Sequence, residues 1–222
     1  MRVARLAPSR RVWIFDLDNT LHDATARIFP AMHGQINAFL RRELGVDEEG
    51  ANRMRREFWL RYGTTLRGLV RHHGIDPRRF LAETHVFPEL ADLVVHDNAL
   101  KHALSRLGGM KLVFSNAPRH YVAGVLRAMG LARYFDAVYS IEDARYRGKP
   151  DLHGFRMLLR KHSLDPHRCA FIDDILDNLR TAHRLGMSTV WVSAQTRRVS
   201  FVDLRISSVV DLPRLVFRQA SA

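Results

Sequence analysis

The chain has 222 residues, of which 46% are hydrophobic, so it can bury a core large enough for one domain or for a domain with a smaller insert. No apolar run reaches the ~18 residues that a membrane-spanning helix needs. The net charge of +12 would attract phosphate groups, but the basic residues are scattered and no motif of DNA- or RNA-binding proteins occurs. We therefore predict no membrane partner and no nucleic acid as the main partner.

Cysteine usage and N-terminal composition bear on the location of the protein. A single cysteine, Cys169, excludes an intrachain disulfide and is consistent with a reducing cytoplasm. Its apolar neighbours predict a buried structural thiol rather than a nucleophile. Residues 1–11 include four arginines but no apolar stretch, which is not typical of a secretory signal. These features predict a cytoplasmic protein, and they leave its oligomeric state open.

The first predicted strand ends in a cluster of polar side chains. Residues 12–15 are apolar without interruption, which is typical of a strand covered on both faces in a parallel sheet. Asp16, Asp18 and Thr20 follow at once. Two carboxylates this close repel each other unless a cation neutralises them or one carries a proton. Mg²⁺ is the expected cation because it binds carboxylate and carbonyl oxygens, although the same residues also fit a surface turn.

The pattern changes from strand to helix after Thr20. Apolar residues recur at helical spacing in residues 28–44, and Gly45 follows as the expected C-cap. Further helical stripes lie in residues 54–62 and 66–73, and a shorter helix is predicted to begin at Asp76-Pro77. This part of the chain therefore predicts an all-helical insertion after the first strand.

From Asn98 onward, predicted helices and strands alternate. The predicted strands are residues 111–114, 137–139, 169–172 and 189–192. Strands joined through helices pair in parallel by right-handed crossovers, so the sequence predicts an α/β fold with a doubly wound parallel sheet. The tail from Gln195 onward is expected to add an edge element or a last helix, whose position the pattern leaves open.

Polar residues follow the later strands as well. These are Ser115-Asn116, Lys149-Pro150 and Asp173-Asp174. Ligands of a doubly wound sheet bind outside the carboxyl ends of its strands, so we expect these groups to converge with the residues after the first strand. Each pair alone could be a helix cap, a loop or acids at a helix start. Their joint occurrence after successive strands favours a shared site.

Together, Asp16-Leu17-Asp18-Asn19-Thr20, Ser115-Asn116, Lys149-Pro150 and Asp173-Asp174 resemble, in order and spacing, the four motifs of the haloacid dehalogenase-like hydrolase superfamily. The resemblance covers residues 12–195. It implies a Rossmann-like catalytic core with an inserted helical cap domain that closes over the active site. On this basis the cap comprises residues 22–96, and the core comprises residues 1–21 and 97–222.

The resemblance implies a role for each motif residue. Asp16 is expected to be the nucleophile that forms an aspartyl-phosphate, and Asp18 the general acid and base. Lys149 is expected to neutralise charge on the phosphoryl oxygens. The expected substrate-binding residues are Thr20, Ser115, Asn116 and Lys149. The expected Mg²⁺ ligands are Asp16, Asp18 through its backbone carbonyl, Asp174 and Asp173. Asp177 and Asn178 are interpreted as supporting or helix-capping residues.

Asp18 also separates the reaction classes of the superfamily. An alcohol leaving group needs a proton, whereas a halide does not, and the dehalogenases of this group lack a second aspartate there. Residues 62–69, 114–120 and 171–174 further resemble the pyrimidine 5'-nucleotidase subgroup, which acts on nucleoside monophosphates of uracil and cytosine. His22 departs from that subgroup, which commonly has an aromatic residue at this position.

We therefore predict a Mg²⁺-dependent phosphomonoesterase whose partner is a small-molecule phosphomonoester, a nucleoside 5'-monophosphate. One alternative is a sugar-phosphate or phosphoglycolate-type phosphatase on the same scaffold. The other is a phosphoryl-binding regulatory protein without turnover. Residues 62–67 fit a substrate-facing loop and a tight glycine turn between two helices equally well.

Overall fold

The computed structural model describes residues 11–220, with side chains as far as Val216. Residues 1–10, whose composition is not typical of a secretory signal, lie outside the described residues. The strands are β1 (Val12–Phe15), β2 (Met110–Phe114), β3 (Ala137–Tyr139), β4 (Cys169–Asp173), β5 (Ser188–Val192) and β6 (Leu204–Ile206). They form one parallel sheet in the order β3-β2-β1-β4-β5-β6. The predicted α/β class with a doubly wound parallel sheet is confirmed.

β1 lies in the middle of the sheet because its residues suit burial on both faces. It pairs with β2 on one side and with β4 on the other. Successive side chains of a strand point to opposite faces, so Trp13 and Phe15 join one apolar layer while Ile14 joins the other. All three side chains are buried. This central position brings the carboxyl end of β1, and Asp16 with it, to the middle of the row formed by the carboxyl ends of the strands.

The helices cover the sheet and form the insertion after β1. They are α1 (Ile28–Leu44), α2 (Glu48–Tyr62), α3 (Thr65–His73), α4 (Pro77–Thr84), α5 (Leu90–Leu93), α6 (Leu100–Arg106), α7 (Arg119–Ala128), α8 (Leu152–Lys161), α9 (Leu176–Arg184) and α10 (Leu212–Ala220). Helices α1 to α5 follow β1 without an intervening strand, as predicted. Within residues 11–220, no helix combines the length and the hydropathy needed to cross a membrane.

Glycine and proline mark the helix ends of the insertion where the pattern predicts them. α1 ends at Gly45, which has a φ of 66° and donates its N–H to the carbonyl of Arg41. A left-handed residue of this kind satisfies a carbonyl of the last turn, and glycine adopts it without strain. α4 begins with Pro77 after Asp76, whose side chain accepts from the N–H of Arg78.

The insertion packs on itself and on the sheet. Phe39 of α1 meets Phe80 of α4 edge to face at 5.2 Å between ring centroids. A Cβ on Gly68 of α3 would lie only 2.2 Å from the ring of Phe58 on α2, so the two helices approach closely because Gly68 has no side chain. One apolar cluster includes these rings and Phe15 of β1. The insertion and the sheet thus share a core, and the division at residues 22–96 remains a prediction.

The C-terminal tail supplies both elements that were considered for it. β6 adds to the edge of the sheet beside β5, and α10 packs against α6. β6 was not predicted because it has three residues and includes the exposed Arg205. An edge strand of this length carries too short an apolar pattern to be recognised.

The single cysteine offers a test of this packing. Cys169 begins β4, is 1% exposed, and its Sγ donates to the carbonyl of Asp165 at 3.2 Å. Burial raises the pKa of its thiol to about 12, so the reactive thiolate is scarce at neutral pH. We expect a disulfide reagent such as Ellman's to leave the folded protein unmodified over minutes at pH 8 and to label one thiol after unfolding in guanidinium. Rapid labelling of the folded protein would contradict the burial of this strand.

Candidate active site

The residues at the carboxyl ends of four neighbouring strands lie side by side. Asp16 follows β1, and its backbone N–H donates to the carbonyl of Ile172 on β4 at 2.9 Å. Asp173 is the last residue of β4. Ser115 follows β2, and its N–H donates to the carbonyl of Tyr139 on β3 at 3.0 Å. Groups that are distant in the sequence therefore meet at one edge of the sheet, as the topology predicts.

The ammonium group of Lys149 joins two of these strand ends. Its Nζ donates to Asp16 Oδ1 at 2.5 Å and to Asp173 Oδ2 at 2.9 Å. Lys149 is 3% exposed, so both ion pairs are shielded from solvent. The rings of Phe114 and Phe171 lie 5.4 and 5.6 Å from Nζ, close enough for cation–π attraction. The lysine thus bridges β1 and β4 as a buried cation.

The loop that carries this lysine is fixed by side chains from two other elements. Asn116, after β2, accepts from the backbone N–H of Lys149 and donates to its carbonyl, both at 2.8 Å. Thr181 of α9 donates to the carbonyl of Pro150 at 2.8 Å. The Asn116 side chain therefore positions Lys149. The backbone N–H of Asn116 remains the candidate group for binding a phosphoryl oxygen.

Burial and mutual repulsion set the acidities of the cluster. Burial raises the pKa of Asp16 well above its usual range, while the Lys149 ammonium opposes that rise and the Asp173 carboxylate adds to it. Burial, and then the charge of Asp173, raises the pKa of Asp174 to about 7. Burial disfavours the ammonium of Lys149, but its contacts with Asp16 and Asp173 outweigh burial and raise its pKa. Three carboxyl groups thus share one ammonium group, and a bound cation would stabilise their ionised forms.

The acidic residues offer oxygen ligands to such a cation. Asp16, Asp173 and Asp174 each contribute one carboxylate oxygen, and these oxygens lie within 4.8 Å of one another. An acidic set made only of oxygens suits Mg²⁺, so the arrangement fits the expected metal. Asp173 is also held by the protein, because both its oxygens accept from Asn178 Nδ2 at 3.0 Å. Asn178 thus has the supporting position suggested for it.

Asp18 lies apart from the three clustered carboxylates. Its Oδ1 accepts from the hydroxyl of Tyr121 at 2.6 Å and lies 2.9 Å from Nε2 of His22. Its side chain is 17% exposed, in contrast to the buried Asp16. The two aspartates after β1 therefore have different surroundings, one beside the Lys149 ammonium and one beside the side chains of a tyrosine and a histidine. Such a difference separates the roles of paired carboxylates in catalysis.

Two hydroxyl groups predicted to bind substrate lie at the same edge. The Thr20 side chain is buried, and its Oγ1 has no hydrogen-bond partner within the part of the chain that the structure describes. Ser115 is also buried, and its Oγ accepts from the N–H of Ala117 at 3.0 Å. A hydroxyl can accept and donate at once, so the Ser115 hydroxyl still has a proton that it can donate. Asp177 lies outside this group and pairs with Arg180 on the surface of α9.

The turn between α2 and α3 lies against the lysine loop. Gly63 ends α2 with a φ of 83°, and a Cβ there would lie 2.4 Å from Cδ of Pro150. Arg67 of α3 forms an ion pair with Asp151 at 2.9 Å. Residues 62–67 are therefore a tight glycine turn, and the same turn contacts the residues next to Lys149. The insertion is thereby joined to the edge of the site.

Most of the chain matches a known protein family. Residues 11–186 match the family of haloacid dehalogenase-like hydrolases, and the matched segment contains every polar group of the cluster described above. The chain belongs to the haloacid dehalogenase-like hydrolases. The resemblance of the four motifs to this superfamily, and the prediction that the chain is a hydrolase, are confirmed.

The relatives of this haloacid dehalogenase-like hydrolase include proteins named for phosphate chemistry. It is 27% identical over 200 residues to phosphate metabolism protein 8 of Saccharomyces cerevisiae, covering 82% of this chain and 61% of that protein. It is 26% identical over 193 residues to phosphoglycolate phosphatase 1 of Pseudomonas aeruginosa, covering 80% of this chain and 67% of that one.

A solved structure shares the fold. The phosphatase of the same superfamily from Thermococcus onnurineus has a TM-score of 0.66 and 20% sequence identity, with 93% of this chain and 97% of that chain covered. At this identity the likeness concerns the fold alone.

Several features of this site were missed by sequence reasoning. Tyr121 was not singled out as a site residue, and His22 was noted only as a departure from a subgroup pattern. The bonds of Asn116 to the lysine loop were not foreseen either. The one indication in the sequence was that polar residues follow the predicted strands. Tyr121 and Asp18 are 103 residues apart, and no spacing rule identifies side-chain partners at such a separation.

Replacement of the buried lysine tests the electrostatics of the site. Lys149→Met would leave Asp16 and Asp173 as uncompensated buried charges, and we expect it to lower the free energy of unfolding by about 3 kcal/mol. Millimolar Mg²⁺ should restore part of that loss, because a bound cation can take over the neutralisation. Urea unfolding with and without Mg²⁺ measures both effects.

Lys111→Met is the matched control, because the Nζ of Lys111 donates to a backbone carbonyl, that of Gly109, in an exposed contact at 3.2 Å. We expect this variant to unfold within about 0.5 kcal/mol of the wild-type protein. Equal stability of the two variants would show that the ion pairs of Lys149 contribute little.

Proposed function

We propose that this protein is a Mg²⁺-dependent phosphomonoesterase that acts through an aspartyl-phosphate on Asp16. The observation that carries the proposal is the pairing of a buried carboxylate, Asp16, with the Lys149 ammonium at 2.5 Å, beside two further carboxylates that can hold a metal. A nucleophile, a cation for the phosphoryl oxygens and metal ligands are the parts that phosphoryl transfer requires. The phosphatase names of the relatives support the same activity.

In the first step, a carboxylate oxygen of Asp16 attacks phosphorus, and the bond between phosphorus and the ester oxygen breaks. The leaving oxygen takes a proton from Asp18, which becomes a carboxylate. In the second step, Asp18 accepts a proton from water as the water oxygen attacks phosphorus. The bond between phosphorus and Asp16 then breaks, which releases phosphate and restores both aspartates.

Other residues of the cluster hold the phosphoryl group during these steps. Lys149 neutralises charge on its oxygens, while the hydroxyls of Thr20 and Ser115 and the backbone N–H of Asn116 donate hydrogen bonds to them. When bound, Mg²⁺ supplies further neutralisation of these oxygens. Its ligands would be Asp16, the backbone carbonyl of Asp18 and Asp174, with Asp173 orienting the set from its bonds to Asn178.

The setting of Asp18 favours a phosphoester over a halide as substrate. A halide leaves without a proton, whereas an alkoxide requires one. Asp18, two residues after the proposed nucleophile, is held by two hydrogen-bonding side chains. A protein that only binds phosphoryl groups has no need of a second carboxylate in this position, so the same observation argues against the regulatory alternative.

The substrate class is proposed to be nucleoside 5'-monophosphates, with pyrimidine bases preferred, because residues 62–69 and 114–120 resemble the pyrimidine nucleotidase subgroup. The turn at residues 62–67 contacts the loop of Lys149, and this contact supports a role of the segment in meeting the leaving group. A phosphoglycolate-type substrate is the second candidate, and the name of the Pseudomonas aeruginosa relative supports it. The single cysteine remains consistent with the expected cytoplasmic location.

Phosphate release tests the proposal. UMP, CMP, AMP, GMP, 2-phosphoglycolate and ribose 5-phosphate would be compared with Mg²⁺ and with EDTA. We expect Mg²⁺-dependent release, fastest from UMP and CMP. Asp16→Asn should lower turnover by at least about a thousandfold, because the variant lacks the nucleophile.

Asp177→Asn is the control for this substitution, since Asp177 lies on the surface of α9 and its loss should leave turnover unchanged. Preference for 2-phosphoglycolate would retain the mechanism and replace the substrate class. If folded protein released no phosphate from any of these esters in the presence of Mg²⁺, the proposed phosphomonoesterase activity would be refuted.

A further inference from the structure

One oxygen of Asp18 receives two hydrogen bonds from residues outside the four motifs. The hydroxyl of Tyr121 donates to Oδ1 at 2.6 Å, and Nε2 of His22 lies 2.9 Å from the same atom. A carboxylate has only acceptors, so Nε2 carries the proton when Asp18 is ionised. His22 comes from the turn after β1 and Tyr121 from α7, and both side chains are buried.

This arrangement leaves the other oxygen of Asp18, Oδ2, to exchange a proton. A free aspartate side chain turns about two torsions, and a general acid works only when its proton points at the leaving oxygen. Two donors on Oδ1 restrict both torsions. We propose that His22 and Tyr121 are positioning residues that hold Asp18 with Oδ2 directed at the leaving group, an inference that rests on the proposed phosphomonoesterase activity.

Tyr121 is itself held in place by the end of the insertion. Its ring meets His85 at 5.8 Å and Phe87 at 5.7 Å between centroids. His120, its neighbour on α7, donates from Nε2 to the carbonyl of His85 at 3.0 Å. The segment that follows α4 therefore fixes the hydroxyl that fixes Asp18. A positioning group needs such support, because its own rotamer must be locked.

His22 has few structural reasons to be where it is. Its Nδ1 is buried and has no hydrogen-bond partner within residues 11–220. Leaving a buried polar atom unpaired costs stability, and an apolar residue would avoid that cost. Among the side chains that the structure describes, the hydrogen-bond partner of the ring is Asp18, which indicates that His22 serves Asp18.

The leaving-group dependence of the rate separates positioning from general support of the structure. The value of kcat/KM covers the steps up to departure of the leaving group. The leaving group of 4-nitrophenyl phosphate departs without a proton. The alkoxide that leaves from UMP or from 2-phosphoglycolate requires one, and the alkyl ester of the test is whichever of these two the wild-type protein hydrolyses faster. We expect Tyr121→Phe and His22→Leu each to lower kcat/KM for the alkyl ester by about tenfold, part of the roughly 10²–10⁴-fold that a general acid supplies.

For 4-nitrophenyl phosphate, we expect both variants to stay within about twofold of the wild-type protein, since Asp16 and Lys149 are untouched. His22→Gln keeps a donor near the position of Nε2 and should recover most of the loss with the alkyl ester. Tyr139→Phe is the matched control, because it removes another buried tyrosine hydroxyl, which bonds to the carbonyl of Asp143 at 3.0 Å. It should leave the ratio of the two kcat/KM values unchanged.

An equal loss with both esters, in variants whose thermal unfolding matches that of the wild-type protein, would overturn the positioning role and leave the phosphomonoesterase standing. No loss with either ester would overturn it as well. Absence of phosphate release by the wild-type protein from both esters would overturn the proposed function and this inference together, so the two failures are distinguishable.

Discussion

The ammonium of Lys149 between the carboxylates of Asp16 and Asp173 is the constraint on which the rest of the site depends. Buried charges of this kind are stable only as a set, because removing one partner leaves the others unpaired. The set can form only if β1 and β4 are neighbours and the loop of Lys149 reaches across them. Asn116 and Thr181 fix that loop, and Asn178 fixes Asp173. The polar network thus selects one arrangement of elements that the apolar core alone would not specify.

The parallel sheet converts this constraint into a site with two kinds of carboxylate. Asp16 lies deep beside a cation, whereas Asp18, two residues further, lies nearer the surface beside a tyrosine and a histidine. The chain turns directly after Asp18, with Asn19 in the left-handed region at a φ of 59°. A nucleophile and a proton donor can therefore come from one short segment. The insertion supports both, through the turn at Gly63 beside Lys149 and through the rings that hold Tyr121.

Local patterns predicted most of the fold and the polar residues of the site. Five strands were recognised because a strand buried on both faces is a continuous apolar run, and Gly45 and Asp76-Pro77 marked helix ends through their backbone preferences. The motif residues were found because they follow strand ends. β6 escaped because an edge strand of three residues has almost no pattern. Two contacts were not predicted, that of Tyr121 with Asp18 and that of Asn116 with Lys149. Both depend on how distant elements pack, which spacing along the chain does not encode.

Trapping the covalent intermediate would test the central claim, that Asp16 at the end of β1 receives the phosphoryl group, most directly. Protein reacting with ³²P-labelled 4-nitrophenyl phosphate, whose leaving group needs no proton from Asp18, would be quenched in acid, digested and mapped by mass spectrometry. The account predicts one phosphorylated residue, Asp16, with more label in Asp18→Asn, because that variant lacks the base for the second step, and none in Asp16→Asn. Steady turnover by the wild-type protein with label on a residue other than Asp16 would contradict the account. Absence of label from both the wild-type protein and Asp18→Asn would contradict it as well.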